Sequence, residues 1–327
     1  MSSSLVQTTG VQSVGVVASL AKAFASNVTI HNLIAVAVSS YPSSGGTPPT
    51  HTVADTLTHT YSSAIRLTGA PTDTAAAHQQ FYTPNTSAGA NTVTVTHVSP
   101  GTESFITLAI AEIHGCVFTS PVHVTDSGTG TSTGPTSGNF TTTLTSFLWA
   151  SMLHIGPDMT ITSGSPWNFA FEAEDGDNMP LGAEYRSAEP AGTYAATWTI
   201  GISTPWTVLV TAFTDDVTGP IISDVAVSNI TRNEATVTWT TDEISDSQVE
   251  YGTTVAYGSE TTLDPTLVTS HSVDLTGLIA GATYHFRVKS RDVAGNLSVS
   301  ADGTFTTTPG PGAGAAFSTQ GRRRRGL

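Results

Sequence analysis

The chain has 327 residues, with 11 Lys and Arg against 25 Asp and Glu and charged residues at only 11 % of positions; that length holds about two domains, each long enough to close an apolar core. Because Arg322, Arg323, Arg324 and Arg325 stand together at the C-terminus, residues 1–321 keep 7 positive side chains against 25 negative, a net of −18. That balance excludes a body that grips phosphate backbones, and the single Cys116 excludes an intramolecular disulfide framework.

Thr, Ser, Gly and Ala dominate, a composition suited to strands and polar turns. No stretch of ten or more residues joins helical period to good caps, so the fold class expected is all-β. The N-terminal MSSSLVQTTGVQSVGVV lacks a basic segment followed by an apolar core, so no secretory signal is read there. Nor does any apolar run approach the twenty or so residues that span a bilayer.

In chain order, strands are predicted over 32–39, 91–98, 105–113, 148–154, 194–200 and 207–213. Short segments spaced by turn residues in this way suit a sandwich or barrel over 1–215. SSYPSSGGTPPTH and TDSGTGTSTGPTSGN are too rich in Gly, Pro, Ser and Thr to read as sheet and are expected as exposed loops. Cys116 follows the apolar FITLAIAEIHG and reads as a small buried hydrophobe. Gly130, Ser132 and Gly134 spell G-x-S-x-G, but without a strand before and a helix after the spelling carries no nucleophile elbow.

The densest set of oxygen ligands is Glu172, Glu174, Asp175, Asp177 and Asn178. Calcium takes six to eight oxygens, so this is the one cation candidate, against a plain reading as a solvated acidic turn; no other cofactor is expected. His51, His59, His78, His97, His114, His123 and His154 show no H-x-H or H-E-x-x-H spacing and read as surface or locally bonded residues. Trp198 and Trp206 belong to apolar strands and read as core. Trp167, in SGSPWN between turn residues, is the tryptophan expected to be more exposed and the one to weigh for stacking on a sugar ring, against core packing as the plain alternative. The N-x-S/T triplets at Asn27, Asn85, Asn139, Asn229 and Asn296 arise readily in a chain so rich in Ser and Thr and are not read as glycan sites.

The order SNVTIHNLIAVAVSSY, ANTVTVTHV, ITLAIAEIHG, LGAEYRSAEPAGTYAATWTI, WTVLVTAF resembles a jelly-roll-type domain of uncharacterised bacterial and phage surface proteins. The resemblance implies a fold and no activity.

From 219 to 308 the pattern sharpens. Ala235, Val237 and Trp239 alternate with Thr236, Thr238 and Thr240, and Tyr284, Phe286 and Val288 with His285, Arg287 and Lys289, the period of a strand with one buried face. Together with Tyr251, Leu278 and the GATY turn, residues 219–308 resemble a fibronectin type III module. The resemblance implies that Trp239, Tyr251, Leu278 and Tyr284 are structural and that Tyr284 forms a tyrosine corner. There is no Arg-Gly-Asp, so integrin-type adhesion is not carried over. Residues 309–327 read as a flexible Gly/Pro/Ala spacer ending in Arg322–Arg325, an interaction arm suited to a carboxylate-rich surface.

The expected function is therefore a non-enzymatic structural and binding protein on a phage virion surface, as capsid decoration or tail-associated component with host-surface glycan adhesion. Met1 favours assembly inside the cell and release by lysis. The alternatives are a subunit of a bacterial extracellular filament or matrix, outside the cell or on its surface, and a carbohydrate-binding accessory module. Partners expected are other copies in a homo-oligomeric assembly, virion or filament proteins and cell-surface glycans, with no specific nucleic-acid readout and no membrane span.

Overall fold

The computed structural model describes residues 3–42, 47–70, 73–98, 104–157, 159–173 and 180–310. The chain divides into two compact units, Met1–Val217 and Thr218–Leu327. Every regular element among the described residues is a strand, as composition predicts, and no helix there is long and apolar enough to cross a membrane.

The first unit opens with β1 (Ser4–Gln12), β2 (Ser19–Ala23), β3 (Leu33–Pro42), β4 (His51–Asp55), β5 (Ser62–Ala70), β6 (Asp73–Pro84), β7 (Thr92–His97) and β8 (Ser104–His114). They form a large sheet ordered β1-β8-β3-β6-β5 and a small sheet ordered β2-β7-β4. Sheets ordered 1-8-3-6 and 2-7-4 are those of an eight-stranded jelly roll, here with the fifth strand joined to the sixth.

The same order then recurs. The next strands are β9 (Val122–Ser132), β10 (Phe140–Thr142), β11 (Ser146–His154), β12 (Ile161–Ser163), β13 (Asn168–Ala173), β14 (Leu181–Glu189), β15 (Gly192–Tyr194), β16 (Trp198–Ile200) and β17 (Thr204–Thr214). Their large sheet runs β9-β17-β11-β14-β13, with β10-β15 and β12-β16 as the small pieces. The region read as one sandwich is thus two successive copies of one topology. Register fixes the equivalences: Ser40 pairs Ile106 as His154 pairs Trp206, and Val36 pairs Phe81 as Ala150 pairs Glu184.

The copies pack large sheet to large sheet. β1 meets β13 while β5, the counterpart of β13, meets β9, the counterpart of β1; this reciprocity is that of an isologous two-fold interface, here within one chain. Leu33, Ala35, Ala37, Ala109, Ala111 and Ile113 meet Phe147, Trp149, Leu181, Ala183 and Phe213 across it. The opposite faces close each sandwich's own core, around Ile34, Val36, Val38, Leu108 and Ile110 in the first and Met152, Trp198, Val208 and Val210 in the second. Central strands buried on both faces lose the alternation of a strand with one wet face, which is why LIAVAVS and SFLWASMLH hardly alternate; all nine residues of β11 are buried.

Three expectations change. TDSGTGTS is the body of β9, paired with β17 from Ser132 opposite Thr204 to Val122 opposite Phe213, and only the residues after Ser132 form the loop. Its glycines are there for close approach: a Cβ on Gly128 would overlap the Thr136 carbonyl, and one on Gly130 the Trp206 ring. Residues 194–200 are split between β15 and β16, which pair with different partners, β10 and β12. Of SSYPSSGGTPPTH, the first residues finish β3 and His51 opens β4, while 43–46 lie outside the described residues.

The second unit holds β18 (Ile222–Ser228), β19 (Glu234–Gly252), β20 (Ser259–Glu260), β21 (Asp264–Thr276), β22 (Thr283–Arg291), β23 (Leu297–Val299) and β24 (Gly303–Thr306). The long β19 serves two sheets. Its first half pairs with β18 and β21, which follows it as far as Ser247, and its second with β20 and β22. The inward residues Ala235, Val237, Trp239, Leu275, Leu278, Tyr284, Phe286 and Val288 make one core. Trp239 stacks on His271 at 4.8 Å and donates from Nε1 to Ser290 Oγ at 2.9 Å, so its one polar atom is satisfied.

Candidate binding surfaces

On the outer face of the sheet formed by β20, β19 and β22, register places Glu250 opposite both Arg287 and Glu260. Two carboxylates directly across a ladder repel. Lys289 relieves them by donating to both, at 3.4 Å to Glu250 Oε1 and 2.5 Å to Glu260 Oε1, while Arg287 Nε donates to Glu250 Oε2. The turn after β19 then folds back, with Tyr257 at φ 58° and Gly258 at φ 91°. A Cβ on Gly252 would overlap the Tyr257 carbonyl, so the return is close enough to require glycine.

That turn lays the Tyr257 ring over the Arg287 guanidinium at 4.7 Å and lets its hydroxyl donate to Asp302 Oδ1 at 3.1 Å, while His285 Nδ1 reaches Asp302 Oδ2 at 2.8 Å. Glu250, Ala256, Tyr257, Gly258, Ser259, Glu260 and Arg287 line an open groove of about 300 Å³. Arg287, then burial and Lys289, set the Glu250 carboxyl, whose pKa ends below the usual range; Glu260 foremost holds the Lys289 ammonium above its own, and His285 holds Asp302 low. Glu250, Lys289 and Asp302 are therefore charged at neutral pH. The groove offers an aromatic face, a guanidinium and carboxylate acceptors to a polar ligand.

The sequence-selected residues fall as follows. Trp167 is 6 % exposed, packs in the core of the second sandwich and donates from Nε1 to Ala195 O at 2.8 Å. It is core, and the expectation of an exposed ring is corrected: the flanking turn residues surround a side chain that folds inward. Glu172 Oε1 accepts from Ile161 N at 2.8 Å, where β12 opens; Glu174, Asp175 and Asp177 lie outside the described residues, as do Arg322, Arg323, Arg324 and Arg325. Trp239, Leu278 and Tyr284 are core, with Tyr251 packed against them. Tyr284 Oη accepts from Ile279 N at 2.9 Å across the turn that Gly281 makes at φ 69°.

Ser132, of the G-x-S-x-G spelling, ends β9 and accepts from Trp206 Nε1 at 3.0 Å and Gly134 N at 3.2 Å. Among the described residues no group of three potential metal ligands contains a histidine. His78 lies in the inter-sandwich interface between Thr207 Oγ1 at 2.9 Å and Ser151 Oγ at 2.8 Å, and burial pushes its pKa down to about 3. His51 bridges Ser40 Oγ at 2.7 Å and Gln79 Oε1 at 3.4 Å; burial foremost lowers it to about 4. Both stay neutral in the fold. Burial, then Asp215 and Asp216, push the Cys116 thiol up, which makes it a poor nucleophile.

The groove escaped sequence reading because it assembles three strands and a turn whose register the sequence does not state. Its visible signal is the outward row of His285, Arg287 and Lys289 in a chain otherwise poor in cations.

Residues 220–306 match the family "Fibronectin type III domain". Among solved structures, the chain is similar to the FN1–FN3 domains of chicken CNTN1, at 13 % identity and a TM-score of 0.24, covering 93 % of this chain and 99 % of that one. It is similar likewise to domains A168–A170 of titin, at 10 % identity and a TM-score of 0.26, covering 94 % and 99 %. No curated protein matches the chain. Domains of this kind are generally non-enzymatic binding or structural modules, and residues 220–306 of this all-β chain are a fibronectin type III domain.

Proposed function

We propose that the chain is a non-enzymatic structural and binding protein of a phage virion surface, a capsid decoration or tail-associated component that presents its fibronectin type III domain to host-surface glycans and to neighbouring proteins. The observation that carries this reading is the pairing of two jelly rolls through their large sheets, which spends the inner faces on a rigid body and turns the small sheets outward. A two-sided core of this kind suits a scaffold that must hold its shape under load. The groove around Tyr257 and Arg287 supplies a polar contact point of the sort a sugar uses, with carboxylates to accept its hydroxyls.

The test is immunogold electron microscopy of the native source with an antibody against residues 218–310. Gold on capsids or tails is the expected result. Gold along fibres, or confined to cell surfaces, would replace the virion reading with the filament or adhesin.

A further inference from the structure

The second unit is electrically lopsided. Of its cations up to residue 310, Arg287, Lys289 and Arg291 all stand on β22, and the remaining one is Arg232. The opposite sheet, β18-β19-β21, turns outward Ser228 and Ala226 from β18, Glu234, Thr236, Thr238 and Thr240 from β19, and Ser270, Ser272, Asp274 and Thr276 from β21, paired in register. Small hydroxylated side chains make this face low and flat, and its carboxylates rise from it. Asp274 Oδ1 accepts from Thr236 Oγ1 at 2.8 Å and Asp224 Oδ2 from Thr240 Oγ1 at 3.0 Å; no ion pair among the described residues reaches Glu234, Asp274 or Asp224. At one end Asn229, Glu234, Ala235, Thr236, Asp274 and Thr276 line a groove of about 220 Å³.

The chain leaves the domain beside that groove. Thr308 N donates to Thr231 O at 2.9 Å, and Thr231 N to Glu234 O at 2.9 Å. From Gly310, residues 311–321 separate the domain from Arg322–Arg325. A stretch of that length reaches about 40 Å when extended and about 20 Å on average for a Gly-rich coil, ample for a groove that begins at the exit point. Tethering so close sets an effective concentration on the order of millimolar, and a guanidinium matches carboxylate and hydroxyl acceptors with its planar donors.

We propose that Arg322–Arg325 dock on the outer face of β18-β19-β21 of their own chain, with Glu234 and Asp274 as the carboxylate partners. Docking neutralises the acidic face and leaves the Tyr257 groove on the other sheet open. Release of the arm by a more acidic partner would expose the acidic face as well.

The experiment uses the full chain, ¹⁵N-labelled, against a variant with Arg322→Ser, Arg323→Ser, Arg324→Ser and Arg325→Ser, by amide shift mapping at low ionic strength. The expected result is a difference confined to residues 234–238 and 270–276 that is independent of protein concentration. It should vanish between about 10 mM and about 1 M salt, as the Debye length falls from about 30 Å to about 3 Å. In the full chain, Glu234→Gln with Asp274→Asn should reproduce the spectrum of the serine variant on this face. Identical shifts with and without the arginines, a difference centred instead on Glu250 and Glu260, or shifts that grow with concentration and so report the arm of another copy would each overturn the proposal.

Discussion

Glu184→Gln should stabilise the first unit at neutral and alkaline pH and flatten its pH dependence. Glu184 is fully buried on β14, on the face shared with Gly182 and Arg186, where the first sandwich has Phe81. No side chain bonds either carboxylate oxygen; burial pushes the pKa up to about 9 from 4.5, eased slightly by the Thr197 backbone. Between those values the native state keeps a proton that the unfolded chain has given up. Stability from this group is therefore complete below pH 4.5 and drains away as pH rises toward 9, at up to about 1.4 kcal/mol per pH unit. From pH 5 to pH 8 the loss is on the order of 4 kcal/mol, large beside a domain's total. Glutamine keeps the shape and never ionises. Urea unfolding followed by tryptophan fluorescence reports mainly on this unit, which holds Trp149, Trp167, Trp198 and Trp206 of the chain's 5 tryptophans. The variant should gain several kcal/mol over the parent at pH 8 and little at pH 5. A variant that loses stability at pH 8, or a parent whose pH 5 to pH 8 difference survives the substitution, would refute the account.

Two of the buried histidines, His51 and His78, give the opposite limb. His78 and His51, held neutral with pKa values of about 3 and about 4 against 6.5, contribute stability that is whole above pH 6.5 and falls as pH drops toward those values, so His78→Gln should shallow the acid side of the same urea series. Gly128→Ala forces a Cβ onto the Thr136 backbone and should cost about 1–3 kcal/mol by the same melts, despite lying in a segment that reads as loop. Tyr284→Phe removes the acceptor of the Ile279 N–H and should lower the stability of the fibronectin type III domain by about 0.5–1.5 kcal/mol, measured by hydrogen exchange in β22, with the Tyr257 groove unaltered.

What could be read from the sequence was whatever depends on a single strand's two faces. In the fibronectin type III domain one face is wet, so alternation marks β19 and β22 plainly, and the aromatic residues Trp239 and Tyr284 fall in one core. In the first unit the central strands are buried on both sides, and their apolar runs still declare themselves. Among the strands that stayed unread, β5, β6 and β13 mix apolar and polar residues on faces that meet two different neighbours, as Gln80 meets the partner sandwich while Phe81 next to it enters its own. β9 was unread because glycine there answers to the Thr136 backbone and the Trp206 ring, partners far along the chain.

The duplication was illegible for a related reason. Equivalent positions keep a role and not a residue: Ser40 corresponds to His154, Gln79 to Gly182 and Phe81 to Glu184, with Tyr82 and Tyr185 among the few that agree. A homodimer of jelly rolls must build its interface from one surface used twice, whereas two copies in one chain are free to differ on either side of it. Here the freedom is used unevenly. His78 and Gln80 from the first copy bond Thr207, Ser151 and Thr211 of the second, while the counterparts of His78 and Gln80 in the second copy, Leu181 and Ala183, are apolar. A directed set of hydrogen bonds of this kind fixes which sheet faces which and in what register, a discrimination that apolar packing alone supplies poorly. An asymmetric polar seam is what a chain carrying two similar sandwiches needs if the first is to find the second of its own chain and not that of a neighbour.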